Sequence, residues 1–170
     1  GIIDGEGSIG ITIRSRLCRK TVFQLWARID ITNQNEEVMK WLTATLGFGY
    51  TSRVRPTGLP RTKDGLISRR TVYTLGIMGH KRVKMVLENV LPYLIIKKAQ
   101  AEVVWEFINF RQNRSYNSTY SNRELELTLK VRRLNTHTGK GLERYENAVK
   151  RLNRFLTLQQ KMEISLPMEF

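Results

Sequence analysis

The sequence predicts an α+β fold, an antiparallel sheet with helices on one face in the order ββαββα, followed by C-terminal helices. Three observations carry this. Apolar and polar residues alternate over 9–14 and again over 23–31. In the second run Phe23, Leu25, Ala27, Ile29 and Ile31 take one face, and Gln24, Trp26, Arg28 and Asp30 take the other. The period then switches to helical spacing over 36–46 and over 81–91. Strand pairs that each feed a helix bury one sheet face under those helices.

In chain order, Ile9 to Arg14 reads as a half-buried strand, and with 23–31 and the polar link between them it forms a hairpin. Asn35 is placed to cap the helix over 36–46, Glu36 and Glu37 suit its positive start, and Gly47 ends it. Its apolar side is Val38, Trp41, Leu42 and Leu46. A second strand pair spans about 50–56 and 69–78, around a turn-rich loop with Pro56, Gly58, Pro60 and Asp64-Gly65. The helix over 81–91 carries Val83, Val86, Leu87, Val90 and Leu91 until Pro92 stops it. A long helix follows over 97–113, with Ala101, Val104, Ile108 and Arg111.

Residues 124–135 fit both periods. Leu125, Leu127, Leu129 and Val131 alternate like a strand, whereas Leu127, Val131 and Leu134 recur like a helix. A cap at Ser121 or Asn122, with Glu124 in the first turn, favours the helix. A last helix covers 142–160 through Leu142, Tyr145, Val149, Leu152 and Phe155. There is no internal repeat. The reading is one domain, with a core over 1–114 and a helical extension over 115–170.

With 170 residues, 41% of them hydrophobic, the chain can build one domain with a real core. Its 29 Lys+Arg against 15 Asp+Glu give +14, spread along the chain rather than gathered in a tail. So basic a folded surface needs a polyanion, and nucleic acid comes first because binding releases counterions. Ribosomal and membrane-surface proteins share this composition. A lone cysteine, Cys18, rules out an internal disulfide framework and a Cys-based zinc site, and suits a reducing intracellular compartment. No apolar run approaches 18 residues and no signal peptide leads the chain, so no membrane span is expected.

The opening stretch GIIDGEGSIG contains Gly5-Glu6-Gly7-Ser8-Ile9-Gly10, which matches the spacing of a dinucleotide-binding turn. That turn needs a helix after it, and here a strand follows. Glu6 would also meet a pyrophosphate with like charge. The alternative reads residues 1–8 as the end of a helix, with Gly1 and Gly5 on one face where a second helix can approach closely. Glu6 then falls just past the helix end.

Gly1-Ile2-Ile3-Asp4-Gly5-Glu6-Gly7-Ser8 resembles the end of the LAGLIDADG homing endonuclease signature, G-[LI]-I-D-[AG]-[DE]-G-S, without its first two letters. More chain is therefore expected upstream of Gly1. The ββαββα order fits that family's fold over about 1–110. With one motif, the resemblance implies a homodimer whose motif helices pack through Gly1, Ile2 and Gly5, reading a near-palindromic site. It sets Glu6 beside the partner's Glu6, a carboxylate pair that binds divalent metal, usually Mg²⁺, with Mn²⁺ or Ca²⁺ as substitutes. The carbonyl of Gly5 is the implied further ligand. Such metals polarise the scissile phosphate, activate water and stabilise the leaving oxygen.

Two more positions follow from the same resemblance. Lys97, after Pro92-Tyr93-Leu94-Ile95-Ile96, matches the family's basic residue that stabilises phosphorane charge, with Lys98 as fallback. A solvated lysine at a helix start is the plain alternative. Asn33 stands where a Gln usually ends the second strand and orders water, though Asn33 or Asn35 can instead cap the next helix. Asp4 is expected to support the helix end rather than bind metal. His80 and His137 lie in no ligand-like pattern.

The family lays its saddle-shaped sheets along the major groove of double-stranded DNA. Here the outward sets are Thr12, Arg14 and Arg16, then Gln24, Trp26, Arg28 and Asp30, with Arg53, Arg55, Arg69 and Arg70 extending the surface. Asp30 would accept from cytosine or orient Arg28. A merely solvated face leaves Trp26 unexplained. The implied activity is metal-dependent, site-specific DNA cleavage by an intron-encoded enzyme of an organelle or of archaeal or bacterial cytoplasm. A maturase of the same fold that binds its host intron RNA is the alternative. A basic ribosome-associated protein would leave the carboxylate motif without a role.

Overall fold

The alternation over residues 23–31 does produce a strand whose two faces differ. β2 (Thr21–Asn33) buries Phe23, Leu25, Ala27, Ile29 and Ile31 almost completely, while Trp26, Arg28 and Asp30 stay half-buried. The computed structural model describes residues 1–18, 21–54, 71–114, 118–136 and 139–165. For 15–18, 21–22, 53–54, 139–141 and 159–165 it describes the backbone only.

Before β2 come a short helix α1 (Ile2–Glu6) and strand β1 (Gly7–Cys18), which buries Ile9, Ile11 and Ile13. After it come α2 (Glu36–Leu46), β3 (Tyr50–Val54), β4 (Val72–Met78) and α3 (His80–Val90). A 3₁₀ turn over Leu91–Tyr93 leads on to α4 (Lys98–Gln112), α5 (Asn122–Leu134) and α6 (Gly139–Ser165). The expected β-β-α-β-β-α order is thus present behind α1. The strands form one sheet in the order β1-β2-β4-β3, antiparallel where β2 meets β4 and β4 meets β3. No helix among the described residues is long and apolar enough to cross a membrane.

The chain forms two compact units, one of 1–9 with 28–97 and the other of 10–27 with 98–170. In the first, Ile29, Ile31, Leu75 and Ile77 make the buried sheet face, with Met39 and Leu42 of α2 and Val83, Val86 and Leu87 of α3. α2 ends as its composition demands. Asn35 Oδ1 accepts from the backbone N–H of Glu37 (2.9 Å) and Val38 (3.2 Å), and Gly47 terminates it at φ 68°, a conformation that favours glycine. One expectation fails here. Trp41 was assigned to the apolar side of α2, but it is 62% exposed, and Met39 takes the buried position instead. The two apolar stripes of this helix lie one residue apart, and the period alone does not choose between them.

In the second unit Phe23 stacks on Tyr120 and Phe155, with ring centroids 5.1 and 5.4 Å apart. The Tyr120 hydroxyl accepts from the backbone N–H of Leu25 at 2.9 Å. Residues 122–134 are helical: Ser121 accepts from the Glu124 N–H, and the Glu124 carboxylate accepts from the Ser121 N–H at 2.7 Å. That reciprocal cap decides the ambiguity of period.

Candidate active site

α1 places the acidic residue. Gly7 donates its N–H to the carbonyl of Ile3, closing the last turn, so Glu6 is the final residue of the helix rather than the first beyond it. A Cβ on Gly7 would lie 2.4 Å from the Ile3 oxygen, so only glycine permits this exit into β1. Glu6 and Gly5 are exposed, and a Cβ at Gly1 or Gly5 would meet nothing within 4 Å.

Asp4 joins α1 to a segment some ninety residues away. It is buried, and Oδ2 accepts from the backbone N–H of Ile95 (2.8 Å) and Ile96 (3.2 Å), while Oδ1 accepts from that of Lys97 (2.9 Å). Lys97 also donates from Nζ to the backbone carbonyl of Asp4. The hydrogen bonds from Ile95 and then Lys97 hold the Asp4 carboxyl below its ordinary pKa, against the opposing effect of desolvation. The carboxylate is engaged by three backbone donors and is buried. Lys97 is thereby held at α1 against Asp4, which stands two positions before Glu6. The expectation that Asp4 supports the helix end missed its larger contact, because no sequence pattern pairs residue 4 with residues 95–97.

Asn33 ends β2, as expected. Its Oδ1 accepts from the N–H of Asn35 at 2.8 Å, so the amide oxygen is used to shape the entrance of α2. No hydrogen bond among the described residues ties Asn33 to Glu6 or Lys97. No group of three or more His, Cys, Asp or Glu gathers as a metal site among the described residues. The oxygen donors at the end of α1 are the Glu6 carboxylate and the Gly5 carbonyl, hard ligands of the kind that Mg²⁺ and Ca²⁺ accept.

The sheet register shows which side chains share the outward face in the first unit. Arg28 stands opposite Met78, Asp30 opposite Gly76 and Thr32 opposite Thr74; Gly76 and Thr74 in turn face Tyr50 and Ser52. Arg28 Nε lies 2.6 Å from Oδ1 and 2.5 Å from Oδ2 of Asp30. Between these strands is a depression of about 290 Å³, bordered by Arg28, Tyr50, Ser52, Thr74, Met78 and Arg82. Tyr50, Ser52, Thr74 and Arg82 were absent from the expected surface. For Thr74 the signal was the alternation of 72–78, which Gly76 interrupts; Tyr50 and Ser52 lie on β3 and Arg82 on α3.

In the second unit Thr12 is half-buried, Arg14 is exposed, and the Arg14 guanidinium sits 5.6 Å from the Trp26 ring centroid. Gln24, expected on the outward face, is buried at 6% and accepts from Trp26 Nε1 at 3.1 Å. Burying an indole edge requires an acceptor, and Gln24 supplies it. The side chains of Arg16 and Arg53, and residues Arg55, Arg69 and Arg70 altogether, lie outside what is described.

An apolar groove of about 550 Å³ runs beside α1, bordered by Gly1, Ile2, Trp41, Met85, Val90 and Tyr93 among others. Trp41 and Tyr93 are exposed there, at 62% and 78%.

No family model and no curated protein matches the chain. Solved structures do match it. The homing endonuclease I-CvuI, solved with the I-CreI target in the presence of Mg with the DNA not cleaved, aligns over 90% of this chain and 90% of its own, at TM-score 0.61 and 22% identity. The archaeal intron-encoded homing endonuclease I-Vdi141I, complexed with DNA, aligns over 97% and 94%, at TM-score 0.59 and 18% identity. The LAGLIDADG meganuclease I-CpaMI, bound to uncleaved DNA, aligns over 88% of this chain but 47% of its own, at TM-score 0.54 and 16% identity. By these similarities the fold is that of the LAGLIDADG homing endonucleases. At such identities it is the fold alone that is shared.

Proposed function

We propose that the chain is one subunit of a homodimeric, divalent-metal-dependent endonuclease that cuts a long, near-palindromic double-stranded DNA site. The observation that carries this is the tie made by Asp4, which holds Lys97 beside the helix that ends in Glu6. A carboxylate and an ammonium at one helix end are what phosphodiester hydrolysis asks of one subunit. Glu6 and the Gly5 carbonyl would hold the metal, Mg²⁺ in the cell, which supplies Lewis-acid activation when bound. Lys97 brings positive charge to where the phosphorane develops its negative charge. The NH₂ group of Asn33, whose oxygen is already engaged, is the part available to order water.

The second copy would seat on α1. Gly1 and Gly5 leave open space there, Ile2 lines the groove, and exposed Trp41 and Tyr93 offer apolar area. The alignment to under half of I-CpaMI, against nearly all of I-CvuI, supports an assembly built from two such units. DNA would lie on the outward sheet face, where Arg28 and Tyr50 stand among small residues. The Arg28–Asp30 pair is partly exposed and so worth at most about 1 kcal/mol. Exchanging Asp30 for a guanine edge therefore costs little. In the second unit, Arg14 and Trp26 form a cation–π pair of the same modest strength, and Thr12 lies between Ile11 and Ile13 on β1.

The test is selection of cleaved sites from a randomised duplex library with Mg²⁺, wild type against Glu6→Gln. Wild type should cut a recurring near-palindrome and Glu6→Gln should bind it without cutting. Binding without cleavage by wild type would instead support an RNA-assisting protein of this fold.

A further inference from the structure

We infer that Asp4 is the positioning residue for Lys97, setting where its ammonium stands relative to Glu6; this rests on the nuclease reading of the site. Among the described residues, side-chain packing does little to hold the segment 95–97 where it enters α4. Leu94 is buried, but Ile95 and Ile96 are 85% and 72% exposed, Lys98 and Ala99 are exposed, and the next buried side chain is Gln100. Apolar packing therefore does not fix the backbone of Lys97. The Asp4 carboxylate does, by accepting three successive N–H groups, and the Asp4 carbonyl takes the ammonium itself. One buried residue, two positions before Glu6, thus meets Lys97 at its backbone N–H and at its ammonium.

A mere packing role and a positioning role differ in their coupling. If Asp4 acts through Lys97, removing Lys97 removes the benefit of Asp4. The experiment measures single-turnover cleavage of the selected duplex in Mg²⁺ by Asp4→Asn, Lys97→Met and the double variant. Asp4→Asn should slow cleavage about 10- to 100-fold, as loss of a supporting hydrogen bond does, with DNA affinity unchanged. The double variant should be no slower than Lys97→Met alone. Asp4→Glu, which keeps the charge but shifts it by a methylene, should lose rate similarly while remaining folded.

Amide hydrogen exchange without DNA or metal supplies the independent reading. Exchange at 95–97 should quicken in Asp4→Asn, while α2 and α3 keep their wild-type protection. Additive rate losses, or unchanged exchange at 95–97, overturn the inference. Absence of cleavage by wild type overturns the nuclease reading instead, and the exchange result then still decides whether Asp4 holds the segment.

Discussion

Glycines at α1 separate two kinds of constraint. Gly7 has no room for a Cβ, because the Ile3 oxygen would stand 2.4 Å away. Gly7→Ala should therefore destabilise the fold by roughly 1–3 kcal/mol, the usual cost of forcing atoms into a filled space, seen as a lower thermal midpoint. Gly5 is the opposite case. Its Cβ would meet nothing, and alanine gains about 0.5–1 kcal/mol at most over glycine within a helix. Gly5→Ala should leave the thermal midpoint of the separated subunit level or raised, yet weaken dimerisation measured by sedimentation. A variant that dimerises as well as wild type would move the interface away from this face of α1. The sequence motif marked both glycines but could not tell which served the chain's own backbone and which a neighbour. The same limit hid the remote partners of Asp4 and the burial of Gln24.

At the scale of elements the sequence was most legible where a local rule acts alone. Caps at Asn35, Gly47 and Ser121 set helix ends within a residue or two, because each satisfies backbone groups by itself. Faces were harder, since Trp41 and Met39 compete for the buried side of α2 and only the tertiary partner decides. α5 offers a test of how far its cap matters. Glu124 is fully buried and bonds Arg111 (3.2 Å) and Arg114 (3.3 Å) as well as completing the capping box. Arg111 is itself 6% exposed; it also donates to Ser118 and lies over the Tyr120 ring, and the Glu124 carboxylate balances its charge. Glu124→Ala should cost about 3–5 kcal/mol, because it takes a buried carboxylate away from the buried guanidinium it is paired with. Ser121→Ala should cost only about 1 kcal/mol, the value of a cap. Denaturant titration of both variants checks the ratio, and equal losses would mean that the ion group contributes nothing beyond the cap.

Across the whole molecule, the +14 charge bears on affinity rather than on fold. Contacts to phosphate and contacts to base edges answer differently to salt and to sequence, and this divides the roles of the outward residues. Each phosphate neutralised adds about −0.9 to the slope of log K against log salt, so a protein making six to ten such contacts loses about 10³- to 10⁵-fold between 50 and 200 mM salt. Binding of the selected duplex, followed by fluorescence anisotropy across that range, should fall that steeply. Arg28 stands on the outward face opposite Met78, paired with the easily exchanged Asp30. If it reads a base edge, Arg28→Ala should cost about 1–3 kcal/mol on the selected site and relax its discrimination at one pair of symmetric positions. Its salt slope should match that of wild type. A variant that instead loses one unit of slope and keeps its discrimination would assign Arg28 to the phosphate backbone. Sequence reading would then be left to Tyr50, Ser52 and Thr74 on the strands beside it.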